Sequence, residues 1–211
     1  MQVTILNTSH SRPLSFIGRV AGISHGKDDE SVKRALGCWR AGHGSVLEHV
    51  SVTFKAEGIS RACSHQLVRH RMASYVQESQ RYTRIDTERD DWYVMPPSFD
   101  TDYEESGYDH RKTFEGAMRF CAQEYKLMLD CGMRLEDARY LLPEACKTSV
   151  NVTMNLRELE SFYKLRADRH AQWEIRDLAN KLMSQLRFQG GEWCKVCDMI
   201  YSGEVHAADA C

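Results

Sequence analysis

A chain of 211 residues, 42% hydrophobic and 27% charged, has ordinary globular composition and can bury one substantial core, so a single domain over 1–211 is expected. Its formal net charge of −2 argues against a surface built throughout to track a polyanion; no nucleic-acid partner is expected, and any anion site must be local. The most apolar runs, Val50 to Phe54 and Tyr140 to Leu142, fall far short of the ~20 residues a bilayer span needs, and Met1 to Leu6 lacks the features of a secretory signal, so a cytoplasmic protein with no membrane partner is expected.

Residues 3 to 6 read as a short strand. Val32, Ala35, Leu36 and Trp39 then recur at helical spacing until Gly42 and Gly44 break the pattern. From Glu48 to Ala56 the pattern alternates, with Val50, Val52, Phe54 and Ala56 on one face and His49, Ser51, Thr53 and Lys55 on the other, which predicts a half-buried strand. Helix is expected again over Ser60 to Arg71, followed by an irregular stretch with Pro96 and Pro97 that reaches about Tyr108. A long helix with Phe114, Ala117, Met118, Cys121, Tyr125 and Met128 on its apolar face should stop near Gly132, and a shorter one from Leu135 should end before Pro143. Thr148 to Met154 is Val- and Thr-rich and reads as a strand; Asn155 with Glu158 three residues on resembles a capping pair that opens a helix. The last clear helix carries Ile175, Leu178, Ala179, Leu182, Met183 and Leu186 on one face and is closed by Gly190 and Gly191. Strands and helices mix without the regular alternation of a doubly wound fold.

The eight cysteines are scattered among core-like neighbours, and Cys38, Cys63, Cys121 and Cys146 read as packing residues. Cys194 and Cys197 form a CxxC that His206 and Cys211 could in principle complete as a zinc site. Without a regular second pair, two packed thiols are the preferred reading, and no metal is expected.

Between Arg61 and Arg84 stand Arg61, His65, Arg69, His70, Arg71, Arg81 and Arg84, against one acid, Glu78. On a helix Arg61, His65 and Arg69 would share one face, where like charges repel unless an anion is present. Guanidinium forks match phosphate oxygens, and Gln66, Ser74, Gln77, Ser79 and Gln80 add neutral groups suited to a ribose, a base or a phosphate. A phosphorylated small molecule fits best; the plain alternative is a solvated basic face paired to acids elsewhere. No GxGxxG is present, because Gly42 and Gly44 lack a third glycine, so a Rossmann-type nucleotide fold is not supported.

The stretch Arg69 to Tyr82, RHRMASYVQESQRY, resembles the signature of flavin-dependent thymidylate synthases: an RHR triplet, seven residues, a serine, then x-R-Y. LEHVSVTF at 47–54, DARYLLP at 137–143 and NLRELESFYKLRADRHAQWEIR at 155–176 are similar to further blocks of that family, in order. The resemblance implies an α/β fold of the α+β type, with a mixed antiparallel sheet flanked by helices. It also implies a homotetramer whose active sites draw on several copies. The implied activity is reductive methylation of dUMP to dTMP, with FAD as cofactor and with NADPH and 5,10-methylenetetrahydrofolate as co-substrates.

Carried over position by position, the resemblance makes Arg69, His70 and Arg71 flavin contacts, with Asn155, Leu156 and Arg157 as a second flavin-binding turn and Ser51 and Gln77 as further contacts. Ser161 stands where some relatives carry asparagine. His49 and His170 become neighbours of the flavin and folate rings; by type alone each is more often a structural hydrogen-bonder. Gln66, Leu67, Val68, Arg69, Gln77, Glu78, Ser79, Gln80 and Arg81 match the segments that hold dUMP, joined by Arg139 and Arg166. None of the eight cysteines lies within the RHR loop to serve as a thiolate nucleophile, so a flavin route is the coherent one, and Arg166 is expected to stabilise the anionic uracil as the catalytic cation. Ser79 beside arginines is read as a phosphate ligand in preference to a nucleophile. Two rivals stay open at this point: an arginine–tyrosine surface for single-stranded RNA, which near-neutral charge disfavours, and a flavoprotein without folate chemistry.

Overall fold

The computed structural model of the protein describes residues 1–100 and 109–208. Strands β1 (Gln2–Thr8), β2 (Ser51–Ser60), β3 (Ala73–Gln77) and β4 (Lys147–Asn155) form one four-stranded sheet in the order β1-β2-β4-β3. β1 and β2 are antiparallel, Val3 opposite Ala56 and Ile5 opposite Phe54. The alternation in the sequence decides which face is buried: Val52, Phe54 and Ala56 of β2 and Val150, Val152 and Met154 of β4 are fully or nearly fully buried. The helices are α1 (Pro13–Gly22), α2 (Val32–Arg40), α3 (Arg61–Leu67), α4 (His110–Asp130), α5 (Leu135–Ala138), α6 (Leu156–Arg166), α7 (Trp173–Arg187) and α8 (Glu192–Ala208). This is the expected α+β combination of an antiparallel sheet with helices, without the Rossmann alternation.

The chain divides into two compact units. The first comprises Met1–Glu57, Gln66–Val76 and the chain from Val150. Here α7 packs against β1, α6 and α8. Its predicted apolar face, Ile175, Leu178, Ala179, Leu182, Met183 and Leu186, is completely buried. The second unit, Gly58–His65 with Gln77–Ser149, has its core at Trp92, Met118 and Cys146, against which Ile85, Tyr93 and Phe114 pack. Trp92 ties the proline-rich stretch down through its backbone: its carbonyl accepts from Lys147 N at 2.9 Å, and Val94 N donates to Ala145 O at 2.8 Å.

Several expectations are corrected. The helix expected to run to Arg71 stops at Leu67, so Arg69 does not extend the face of Arg61 and His65. The Tyr75 hydroxyl donates to the carbonyls of Leu67 (2.9 Å) and His70 (2.6 Å), and so satisfies oxygens left without helical donors. Tyr75 itself lies on β3, a strand inside the stretch expected to be irregular. His49 is not on the polar face of β2: it ends a 3-10 helix, Gly44–His49, and the strand begins at Ser51. Arg157 lies against the start of that turn: a Cβ on Gly44 would be 2.9 Å from Arg157 Nε, and the exposed arginine side chain would have to shift.

Helices α1 and α8 were not foreseen. α8 buries Trp193, Val196, Cys197 and Ile200 at helical spacing, a pattern the cysteine pair draws attention away from. Cys197 packs with Sγ 3.7 Å from Met183 O, and burial pushes its thiol up to about 12; Cys194 Sγ lies 3.5 Å from Arg187 O. The side chain of His206 and all of Cys211 lie outside the described residues. Among the described residues no cluster of His, Cys, Asp or Glu is arranged to hold a metal, and no helix is long and apolar enough to cross a membrane.

Trp193 is almost fully buried and its indole N–H donates to His10 O at 3.2 Å. Trp193→Ala should therefore destabilise the protein by about 3–5 kcal/mol in urea unfolding; a loss under about 1 kcal/mol would show that α8 is not part of the core.

Candidate active site

The first unit builds its site on one face of α6. Asn155 caps the helix, its side-chain oxygen accepting from Glu158 N at 2.9 Å as the sequence suggested. Glu158, Phe162 and Arg166 then follow at intervals of four, and all three touch His70. Glu158 Oε1 lies 2.9 Å from His70 Nδ1, the Phe162 ring meets the imidazole edge-on at 5.0 Å, and Arg166 Nε donates to His70 Nε2 at 2.9 Å.

His70 is 6% exposed. Burial lowers its pKa below the ordinary 6.5, and the Arg166 charge adds to this, against an opposing pull from Glu158. The geometry demands the same neutral state: Nε2 accepts from Arg166 and so carries no proton, which leaves the single proton on Nδ1, facing Glu158. The contact between His70 and Glu158 is thus a charge-assisted hydrogen bond and not an ion pair.

Arg166 makes a second bond, Nη2 to Gln66 O at 3.3 Å, and lines a cavity of about 550 Å³ together with Gln66, His170 and Gln172. His170 is exposed, its backbone N–H donating to Asp168 at 2.7 Å and its ring accepting from Arg169 at 3.2 Å. Three of the expected site residues, Gln66, Arg166 and His170, therefore meet at one cavity, with His70 behind Arg166. Arg69 and Arg71, on either side of buried His70, are exposed, as is Val68. Leu67 and Leu156 are fully buried in the core; Leu67 O accepts from the Tyr75 hydroxyl, and Leu156 N donates to Val50 O at 2.9 Å. Arg157 is exposed and bonded to Glu48 at 2.5 Å, one residue before exposed His49; Ser161 is on the exposed side of α6. Ser51 pairs through its backbone with Ser9.

The second unit gathers a different set. Gln77 donates to Ser64 Oγ (2.9 Å) and Thr148 Oγ1 (3.3 Å), while Glu78 N donates to Ser149 O at 2.9 Å and fixes the start of the serine turn. Within the turn Ser79 Oγ accepts from Arg81 N at 3.2 Å, and Gln80 approaches Cys146 Sγ at 3.7 Å. Burial pushes the Cys146 thiol up to about 11, which makes it a packing residue as expected. Arg81 and Arg139 both bond Glu136, the first at its carboxylate (3.2 Å) and the second at its backbone carbonyl (3.1 Å).

Arg61 stands out here. Its Nη2 donates to Glu78 O at 2.8 Å, but its buried Nε has no partner among the described residues. Burial and, secondarily, Arg139 hold its pKa below the ordinary range for arginine. A half-satisfied, desolvated cation beside another cation is what an anion would relieve.

In the sequence Arg61 is one member of a basic cluster with no role of its own, and Glu158 is legible only as a capping residue. The available signal for Glu158 was the interval of four from Glu158 to Phe162 to Arg166, which puts an acid, a ring and a base on one helix face. Tyr75 carried no such signal, because its partners are backbone carbonyls.

The family model described as "Thymidylate synthase complementing protein" matches residues 6–189. A flavin-dependent thymidylate synthase of Geobacter sulfurreducens is 51% identical over 144 residues, 67% of this chain and 59% of that protein, so the match spans less than two thirds of that relative. One of Pyrococcus furiosus is 44% identical over 204 residues, 88% of this chain and 79% of that protein. Among solved structures, a thymidylate synthase from Helicobacter pylori with FAD and dUMP superposes with a TM-score of 0.70 at 23% identity, covering 95% of this chain and 99% of that one. A UMP/dUMP methylase from Streptomyces cacaoi bound with 5-Br dUMP gives 0.78 at 23% identity, covering 96% and 94%. At that identity the structural likenesses carry the fold.

The neutral state of His70 has a thermodynamic consequence. Its folded pKa lies below the unfolded 6.5, so above 6.5 neither state is protonated and the contribution to stability is complete. As pH falls below 6.5 the unfolded chain takes up the proton first, and native stability is lost until the folded pKa is passed. The stability advantage of the wild type over His70→Asn should therefore shrink between about pH 7 and pH 5 in urea unfolding. A difference that stays constant across that window would show that His70 titrates normally in the fold.

Proposed function

Because the chain belongs to the flavin-dependent thymidylate synthase family, we propose that it methylates dUMP to dTMP with FAD as cofactor, NADPH as reductant and 5,10-methylenetetrahydrofolate as one-carbon donor. The observation that carries this reading is Arg166: a permanent cation held by His70 and by the Gln66 carbonyl at the wall of a cavity. A cation fixed where a pyrimidine gains negative charge stabilises the transition state more than the bound substrate, typically by a few kcal/mol for one donor. Its cost in side-chain ordering is met in advance by the two bonds that hold it.

The residues present suit a flavin dinucleotide. Arg69 and Arg71 are exposed guanidinium groups on the segment after α3, and Arg157 is another at the first turn of α6. Such forks match pyrophosphate oxygens, with Ser51, His49, Asn155, Leu156, Ser161, His170 and Gln77 as the further contacts we assign to the cofactor. When bound there and reduced by NADPH, FAD would supply the hydride needed to bring the transferred one-carbon unit to the methyl level.

The nucleotide phosphate we assign to Ser79, Gln80, Arg81 and Arg139, and to Arg61, whose Nε has no partner among the described residues and so has a reason to bind an anion. Gln66, Leu67, Val68, Arg69 and Glu78 complete the nucleotide contacts. The homotetramer that the family resemblance implies would let different copies contribute residues to one active site.

The direct test is formation of dTMP from dUMP, methylenetetrahydrofolate, NADPH and FAD; no product under saturating conditions would contradict the proposal. Arg166→Lys separates chemistry from binding, because lysine keeps the charge but loses the planar fork. In stopped flow the reduced variant should reoxidise on addition of dUMP and methylenetetrahydrofolate at least about tenfold more slowly than wild type, while dUMP affinity changes less. Reoxidation at the wild-type rate would confine Arg166 to binding.

A further inference from the structure

The carboxylate that faces His70 has no task in the reaction as described so far. A neutral histidine has two tautomers, and only the one with its proton on Nδ1 leaves Nε2 able to accept from Arg166. Glu158 Oε1, 2.9 Å from Nδ1, selects that tautomer, because a carboxylate accepts and does not donate. We infer that Glu158 is a positioning residue: by pinning His70 in the Nδ1–H form, it keeps an acceptor lone pair on Nε2 directed at Arg166 Nε and so fixes the guanidinium at the cavity wall.

The surroundings leave the imidazole little alternative. Phe162 blocks it from the side, and the Tyr75 hydroxyl bonds the His70 carbonyl at 2.6 Å, tying the backbone of the residue in place. Glu158 is fixed in turn, since its backbone N–H is the group that Asn155 caps. Among the described residues, the titratable side chains that contact His70 are Glu158 and Arg166, both from α6, and Tyr75 from β3, whose hydroxyl is pushed up to about 12 mainly by burial and so stays protonated. A purely structural Glu158, acting as an N-terminal carboxylate on the dipole of α6, would affect stability without separating binding from turnover.

The inference rests on the proposed function, and two measurements keep their failures apart. The first is kinetic, on the FAD-loaded protein. Glu158→Ala should lower kcat by about tenfold or more while KM for dUMP stays within about threefold, because the cation is misdirected and not lost. Glu158→Gln keeps an acceptor oxygen for the Nδ1 proton and should recover turnover to within about threefold of wild type. Should Glu158→Ala not fold, Glu158→Met fills the same space without offering that acceptor and takes its place. The second measurement is the nitrogen-15 spectrum of His70 without substrates, where wild type and Glu158→Gln should show one Nδ1–H tautomer and Glu158→Ala a mixture.

Wild-type turnover in Glu158→Ala, equal losses in the Ala and Gln variants, or a rise in KM at constant kcat would each overturn the positioning role. If the wild type makes no dTMP, the function fails while the spectrum still decides: a tautomer pattern unchanged by Glu158→Ala overturns the inference, and loss of the single tautomer upholds it.

Discussion

The site depends on a buried, uncharged imidazole. Putting His70 at 6% exposure in contact with a guanidinium makes its protonated form costly, and the neutral form can be satisfied only if each ring nitrogen finds a partner of the right polarity. Helix α6 supplies both partners from one face, an acceptor at Glu158 and a donor at Arg166, with the Phe162 ring between them. Each hydrogen bond to a charged group contributes about 1.5–3 kcal/mol, and removing either partner strands a desolvated polar atom. The array therefore tolerates few alternative geometries.

Much of the surrounding structure serves that array. β4 delivers the chain to Asn155, whose side chain fixes the first turn of α6 and hence the rotation at which Glu158, Phe162 and Arg166 face His70. The early stop of α3 brings His70 off the helix, and Tyr75 holds the released carbonyls. Gln66, just before that stop, lends its carbonyl to Arg166. The exposed arginines on either side of His70 are the consequence: with the middle residue turned inward, Arg69 and Arg71 are left facing solvent. In the second unit Arg61 shows the opposite balance, a half-buried cation whose Nε lacks a partner among the described residues and whose neighbour Arg139 adds to the charge.

The elements legible in the sequence were those with a single unambiguous period. The alternation of β2 and the apolar stripe of α7 reflect burial of one face, which local pattern records directly; on α4 only Met118 and Tyr125 of the expected face are buried, and Ala117 is exposed. The Asn155 cap was legible because an Asx residue followed three positions later by an acid is a local signal. What failed to show has a physical cause in each case. The helix through Arg61 and His65 has no breaker to stop it at Leu67; the carbonyls of Leu67 and His70 are satisfied by the Tyr75 hydroxyl from β3, a side-chain contact that periodicity does not record. Helix α8 carries an apolar stripe that includes Cys197, and burial of that thiol agrees with the reading of the cysteine pair as packed thiols. The RHR triplet was legible as a motif, whereas its division into one buried and two exposed residues depends on α6 and could not be read from the triplet. Glu158 was assigned half of its role, since its carboxylate partner lies 88 residues away.

A double-mutant cycle of Glu158→Ala and Arg166→Ala, read in urea unfolding, measures the array most directly. The two residues are two helical turns apart, about 12 Å along the axis of α6, so energetic coupling between them has to pass through His70. A coupling energy of about 0.5–3 kcal/mol is expected, because the first substitution already removes the order on which the second depends. Effects that add to within about 0.3–0.5 kcal/mol would show that the two side chains act independently and that His70 does not join them.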